Sequence, residues 1–171
     1  VQTYVLEKND TVIRGAIYRE IGRGGQVFYM HNRIEELDLV YAKLRKIVPD
    51  ARIIMAHGQM SHNELEDSIQ SFVDHEYDVL LCTTIIETGI DIPNTNTLIV
   101  DMSDRLGLAQ MYQIRGRVGR SSRVSYAYFM FEKNKVLTET SAKRLQAIKE
   151  FTTLGSGYKI AVRDLAIRGA G

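Results

Sequence analysis

Only one cysteine, Cys82, occurs in 171 residues, and it lies within an apolar run. A disulfide framework and a cysteine zinc cluster are therefore excluded, and Cys82 is expected in the core. The four histidines (His31, His57, His62, His75) show no HExxH or comparable spacing, so no metal site is expected. No apolar run reaches membrane-span length and no signal peptide is visible, so a cytosolic location without a membrane partner is expected. Neither sign of charge is in excess. The net charge is +1, and any affinity for nucleic acid must come from local patches. One such patch is residues 105–123, with five arginines and no acid. The sequence also lacks G-x-x-x-x-G-K-[ST], so it has no phosphate-cradling loop with its lysine. The glycine-rich run 22–25 precedes a strand, the wrong side for a dinucleotide fingerprint.

What is present is ordinary globular composition, 44% hydrophobic and 25% charged, enough for one core. The chain starts at Val1 and stops on Arg168-Gly169-Ala170-Gly171, which reads as mid-motif, so an excised fragment is expected.

The pattern alternates strands with amphipathic helices. Residues 1–7 are apolar and β-prone, a candidate edge strand. Asp10 is placed to cap a helix over 11–21, with Val12, Ala16 and Ile17 on one face. Residues 26–30 (QVFYM) read as a buried strand. A helix over 34–47 carries Leu37, Val40, Tyr41, Leu44 and Ile47 at helical spacing, and Pro49 closes it. Residues 52–56 form a strand. Ser61 and Glu64 make a capping box opening a helix with Leu65, Ile69, Phe72 and Val73 inward. Strands follow at 78–82, 97–100 and 126–131, with a helix over 108–115 between the last two. Thr138 is placed to cap a helix to about 153, with Ala142, Leu145, Ile148 and Phe151 inward. The expected fold is α/β, a parallel sheet with helices on both faces, over 1–132, plus an appendage over 133–171. Ligands of such sheets bind beyond the strand C-terminal ends, which gathers 31–33, 57–60, 83–91 and 101–105 on one rim.

Residues 113–120 read QIRGRVGR. Arginine presents a planar, permanent charge that fits phosphate oxygens bidentately, and the two glycines permit a sharp turn and close approach. The same residues also suit a solvated basic helix end. Residues 83–93 read TTIIETGIDIP directly after a strand. Two hydroxyls there suit phosphate oxygens, and the Gly89-x-Asp91 turn suits a ribose hydroxyl or a braced arginine. A capped short helix with Asp91 in solvent fits equally. His57-Gly58-Gln59 before a capped helix suits a phosphate backbone or merely a turn. His31 and Asn32 read more simply as structural loop residues.

Jointly these features resemble motifs V and VI of superfamily-2 helicases and translocases, whose lobes are RecA-like. Gln113-x-x-Gly116-Arg117-x-Gly119-Arg120 matches motif VI, residues 26–33 sit where motif IV sits, and residues 57–60 where the next conserved loop sits. Gly155-Ser156-Gly157-Tyr158, Asp164-Leu165 and residues 167–171 resemble the TRG motif shared by RecG and the bacterial transcription-repair coupling factors. Ile85-Ile86-Glu87-Thr88-Gly89 and the ending Arg-Gly-Ala-Gly favour the coupling-factor branch over RecG. The resemblance covers about residues 26–171.

The resemblance implies the second lobe of an ATP-dependent double-stranded DNA translocase with a TRG appendage. It implies arginine fingers at Arg117 and Arg120, with Gly89, Asp91 and Gln113 also at the nucleotide. It places Asn32, Gly58, Gln59, Thr83 and Thr84 on the DNA backbone. Gly155, Gly157 and Arg168 would couple lobe closure to translocation. Arg144 and Glu150 are candidates to pair with the TRG loop. ATP and Mg²⁺ would belong to the full-length protein and none would be bound by this chain alone, because the P-loop lobe is a separate partner. RNA polymerase and excision-repair proteins would be met through regions outside the chain, in the bacterial cytoplasm at the nucleoid. The competing readings are a RecG-type fork-reversing helicase, a non-catalytic binding module that kept the lobe, and a dinucleotide enzyme. Intact motifs V and VI weigh against the module, and the missing G-x-G-x-x-G weighs against the enzyme.

Overall fold

The computed structural model describes residues 1–83, 94–119, 123–132, 137–150 and 167. Six strands form one parallel sheet: β1 (Gln2–Glu7), β2 (Gln26–Met30), β3 (Ile53–Ala56), β4 (Val79–Cys82), β5 (Thr95–Val100) and β6 (Tyr126–Phe131). Their spatial order is β1-β6-β5-β2-β4-β3, and every neighbouring pair is parallel. The expected edge strand at the N-terminus is β1, and β3 forms the other edge.

The central strands are apolar on both sides because helices cover both faces. Val27 and Tyr29 of β2, with Val79 and Leu81 of β4, pack under α1 (Asp10–Gly22) and α2 (Leu37–Ile47). Phe28, Met30, Leu80 and Cys82 point the other way, against α3 (His62–Val73), α4 (Leu108–Arg115) and α5 (Glu139–Glu150). Ile13, Ala16 and Ile17 supply the α1 face, while Leu37 and Leu44 supply that of α2.

Several local expectations shift. Asn9, rather than Asp10, caps α1, with its Oδ1 accepting from Thr11 N at 2.8 Å and Val12 N at 3.2 Å. Asp10 falls one position inside, in the first turn, where a carboxylate suits the helix dipole. The helix expected from 34 begins as a 3₁₀ turn, Ile34–Glu36, whose preceding residue Arg33 offers no capping side chain. Ser61 Oγ accepts from Glu64 N at 3.2 Å, the serine half of the expected capping box. Val73 and Ala142, assigned inward by spacing, are exposed, and Ala147 takes the buried place on α5. Cys82 is buried, and that burial pushes its thiol up to about 12, where it stays neutral. No helix among the described residues is long and apolar enough to cross a membrane.

Candidate functional site at the two ends of the sheet

The described sequence candidates separate onto opposite ends of the sheet. Asn32, half-buried, follows β2; exposed Gly58 and Gln59 follow β3; buried Thr83 follows β4. These three strands are neighbours in the order β2-β4-β3, so the candidate DNA contacts share one rim at the strand C-terminal ends. The turn after β3 is built by Met60 N donating to His57 O and Gln59 N to His57 Nδ1, both at 3.2 Å. Ser61 then caps α3, whose first amides face the same side. Thr83 Oγ1 is buried and makes no hydrogen bond among the described residues. Thr84, Gly89 and Asp91 lie outside the described residues, as do Arg120, Gly155, Gly157 and Arg168.

The arginine stretch lies at the other end. The helix α4 starts beyond the C-terminal end of β5 and runs back for 8 residues, about 12 Å at the usual rise. Gly119 N then donates to Thr95 O, at the first residue of β5, at 3.4 Å. Gly119 has φ 78°, and a Cβ there would collide with Ser125 Oγ, just before β6. Both facts demand glycine at this position. The turn that presents Arg117 is thereby clamped to the N-terminal ends of β5 and β6.

The arginines differ sharply. Arg115 is 4% exposed and donates from Nη1 to the Ile148 carbonyl at 2.7 Å and to Thr3 Oγ1 at 3.3 Å. Burial lowers its pKa, partly offset by Tyr112, yet the guanidinium remains a cation at any ordinary pH. Of the three arginines in the stretch, Arg115 is thus built into the core rather than offered to a ligand. The signal was present: Leu108, Met111 and Arg115 recur at helical spacing, and all three are buried. Arg117 behaves oppositely. It is half-buried, and its side chain makes no hydrogen bond or ion pair among the described residues. Gln113, on the solvent side of α4, is exposed.

A second set of groups at the C-terminal rim is ionic and buried. Asp101, after β5, is 0% exposed and takes His31 Nδ1 at 2.8 Å and the Tyr29 hydroxyl at 3.0 Å. Lys8 Nζ stands 3.8 Å from the same carboxylate. Burial and the Asp101 charge push the Tyr29 hydroxyl well up, so it stays a donor. Sequence reading placed His31 and the segment after β5 on this rim but did not pair them, because partners 70 residues apart leave no local signal. A cleft of about 520 Å³ lies nearby, lined by Glu7, Lys8, Asn9, Asp10, Lys43 and Glu132. None of the described sequence candidates lines it. No group of three or more His, Cys, Asp or Glu among the described residues is placed to hold a metal.

Residues 7–122 match the helicase conserved C-terminal domain. The chain belongs to that helicase family. Over all 171 residues it is 60% identical to the transcription-repair-coupling factors of Staphylococcus epidermidis and Staphylococcus aureus. It spans only 15% of the length of those relatives. The structure of RecG bound to a three-way DNA junction superposes with a TM-score of 0.82 at 34% identity, covering 100% of this chain and 22% of that one. The C-terminal domain of the DEAD-box protein Dbp5 superposes at 0.65 with 15% identity, covering 99% of this chain and 97% of that one, a likeness of fold alone. The six-stranded parallel sheet is therefore a RecA-like helicase C-terminal lobe.

The lobe has donors suited to a polyphosphate among its described residues. It offers an unpaired guanidinium on a clamped turn, but neither a P-loop sequence nor, among the described residues, an acidic metal cluster. Arg117, a permanent cation, and Gln113, an exposed amide, have the chemistry that suits phosphate and ribose oxygens.

Proposed function

We propose that this lobe is the second half of an ATP-dependent double-stranded DNA translocase that acts in transcription-coupled repair by displacing stalled RNA polymerase. The observation that carries the reading is the contrast between Arg115, buried and anchored, and Arg117, two residues on and unpaired among the described residues. A permanently charged group held on a rigid turn without a partner suits an anion that arrives from elsewhere. The relatives' name and their 60% identity support the repair role. The RecG likeness, at 34%, supports a DNA substrate and leaves fork reversal as the second reading.

In this mechanism the P-loop lobe holds ATP and Mg²⁺, which supply the phosphoryl transfer. Arg117 and Arg120 reach the β- and γ-phosphates and stabilise charge that spreads in the transition state, an effect of about 10³-fold or more in other NTPases. Gly89, Asp91 and Gln113 complete the nucleotide contacts. Asn32, Gly58, Gln59, Thr83 and Thr84 hold the DNA backbone from the opposite end of the sheet, giving grip without base readout. Residues 133–171 form the TRG appendage, in which Gly155, Gly157 and Arg168 link lobe closure to movement along the duplex. RNA polymerase and repair proteins bind other regions of the full-length protein, in the cytoplasm.

The test is ATPase activity. The chain alone has negligible turnover, and mixing it with the P-loop lobe restores a rate that Arg117→Ala abolishes. Turnover by the chain alone that survives Arg117→Ala overturns the half-site reading.

A further inference from the structure

His31 is buried where β2 ends, and its ring touches two carboxylates. Nδ1 lies 2.8 and 2.9 Å from the two oxygens of Asp101. Nε2 stands 3.4 Å from Glu36 Oε1 and makes no hydrogen bond among the described residues. Arg33 Nε is 3.8 Å from the same Glu36 oxygen. One ring thus joins the end of β2, the end of β5 and the 3₁₀ turn, and closes the loop that carries Asn32 and Arg33. Buried charges cost stability unless paired, and an apolar side chain of similar size would fill the space more cheaply. The arrangement therefore calls for a purpose beyond packing. Asp101 also heads the segment leading into α4. That segment is fixed by Ser103 Oγ donating to Met130 O at 2.6 Å and by Ser141 Oγ donating to Asp104 O at 2.8 Å.

We propose that His31 is a positioning residue: its imidazolium, held between Asp101 and Glu36, sets the loop bearing Asn32 in the geometry that grips the DNA backbone. The proposal rests on reading the lobe as part of a DNA translocase. Burial opposes the charged ring, but the hydrogen bond and charge of Asp101, with the charge of Glu36, outweigh it, and His31 titrates above the ordinary imidazole value. The groups that face it, among the described residues, are Lys8 beyond β1, Tyr29 on β2, Arg33 and Glu36 at the 3₁₀ turn, and Asp101 beyond β5. Lys8 shares Asp101 with the ring, so losing the ring's proton leaves that carboxylate a partner but strips Glu36 of its link to the sheet. The loop then loosens while the arginine turn, at the other end of the sheet, keeps its clamp.

The experiment measures ATPase of the full-length protein against duplex DNA concentration, from about pH 6.5 to about pH 8.5, across the range where a raised histidine titrates. Wild type needs more DNA for half-saturation as pH rises. His31→Gln needs about threefold to tenfold more at the low end, the scale of one lost charge-assisted contact, and shows a flat pH profile. The change falls on the half-saturating DNA concentration rather than on kcat. Glu36→Gln, at a half-exposed position that tolerates substitution, shifts the same way and carries the test if His31→Gln fails to fold. Both variants matching wild type at every pH, or equal losses in kcat and DNA affinity, overturn the proposal. A wild type that DNA does not stimulate removes the translocase reading and this proposal with it. Stimulated wild type with an unaltered His31→Gln removes this proposal alone.

Discussion

Arg115 donates to the carbonyl of Ile148 at 2.7 Å, tying the end of α4 to the last turn of α5. Ile148 is fully buried in the same core as Leu108 and Met111 of α4. The carbonyl belongs to a buried residue near the end of the described part of α5. A guanidinium satisfies it here and adds a second bond to Thr3 on the edge strand. The turn that presents Arg117 begins one residue later, so its position depends on how firmly Arg115 is seated.

Arg115→Ala is expected to destabilise the chain by about 1–3 kcal/mol, because it removes a buried charge-assisted hydrogen bond and leaves space in the core. Arg115→Lys keeps the charge but loses the fork, and falls between. Urea unfolding monitored by circular dichroism measures both. An Arg115→Ala variant as stable as wild type would show that the bond contributes nothing.

Arg117→Ala is expected to behave in the opposite way. With no partner to lose among the described residues, its unfolding free energy stays within about 0.5 kcal/mol of wild type. ATP turnover in the complete two-lobe protein falls by about 10³-fold. Loss of folding together with activity would mark Arg117 as structural.

Much of this fold was legible because local rules and global packing agree. The run QVFYM is β2 to the residue, and residues 108–115 and 126–131 are α4 and β6 as expected. Apolar runs bounded by turn residues leave little choice in a doubly covered sheet. Caps were less legible. Asn9 and Asp10 are both good capping residues, and only the backbone, extended at Asn9 with φ −145°, decides between them. At the candidate site, composition alone did not distinguish Arg115 from its neighbours, whereas the core separates it from Arg117. The pairing of His31 with Asp101 depends on β2 and β5 lying side by side, an adjacency fixed by topology rather than by neighbouring residues.

Gly25 is expected to tolerate no side chain. A Cβ there would collide with the Glu20 carboxylate. Glu20 is 1% exposed and is held by Thr97 Oγ1 at 2.6 Å and by Arg23 Nη2 at 2.7 Å. Pushing it off these partners leaves a buried charge poorly paired, so Gly25→Ala costs about 1–3 kcal/mol. In a Glu20→Ala background the obstacle is gone, and the same substitution costs less than about 0.5 kcal/mol. Equal costs in the two backgrounds would rule out the steric account.

The stability of the chain is expected to fall at both ends of the pH scale, for different residues. Burial pushes the Asp78 carboxyl up, but hydrogen bonds from the Arg52 side chain and backbone, with its charge, outweigh this and hold it below the ordinary value. A lowered carboxyl stabilises the fold above its unfolded pKa, about 3.9, and that contribution disappears as pH falls through the lowered value. Because Arg52 is more than half exposed, solvent screens the pair and the acid-side loss is modest. His31 has the opposite sign. Its pKa is raised, so its contribution is complete below about 6.5 and disappears as pH rises through the raised value. Urea midpoints measured across pH should therefore be highest between about pH 4 and pH 6.5. His31→Gln removes the alkaline decline and leaves the acid one, while Asp78→Asn does the reverse. A His31→Gln variant whose midpoint still declines as wild type does above neutrality would show that the buried ring is uncharged in the folded chain.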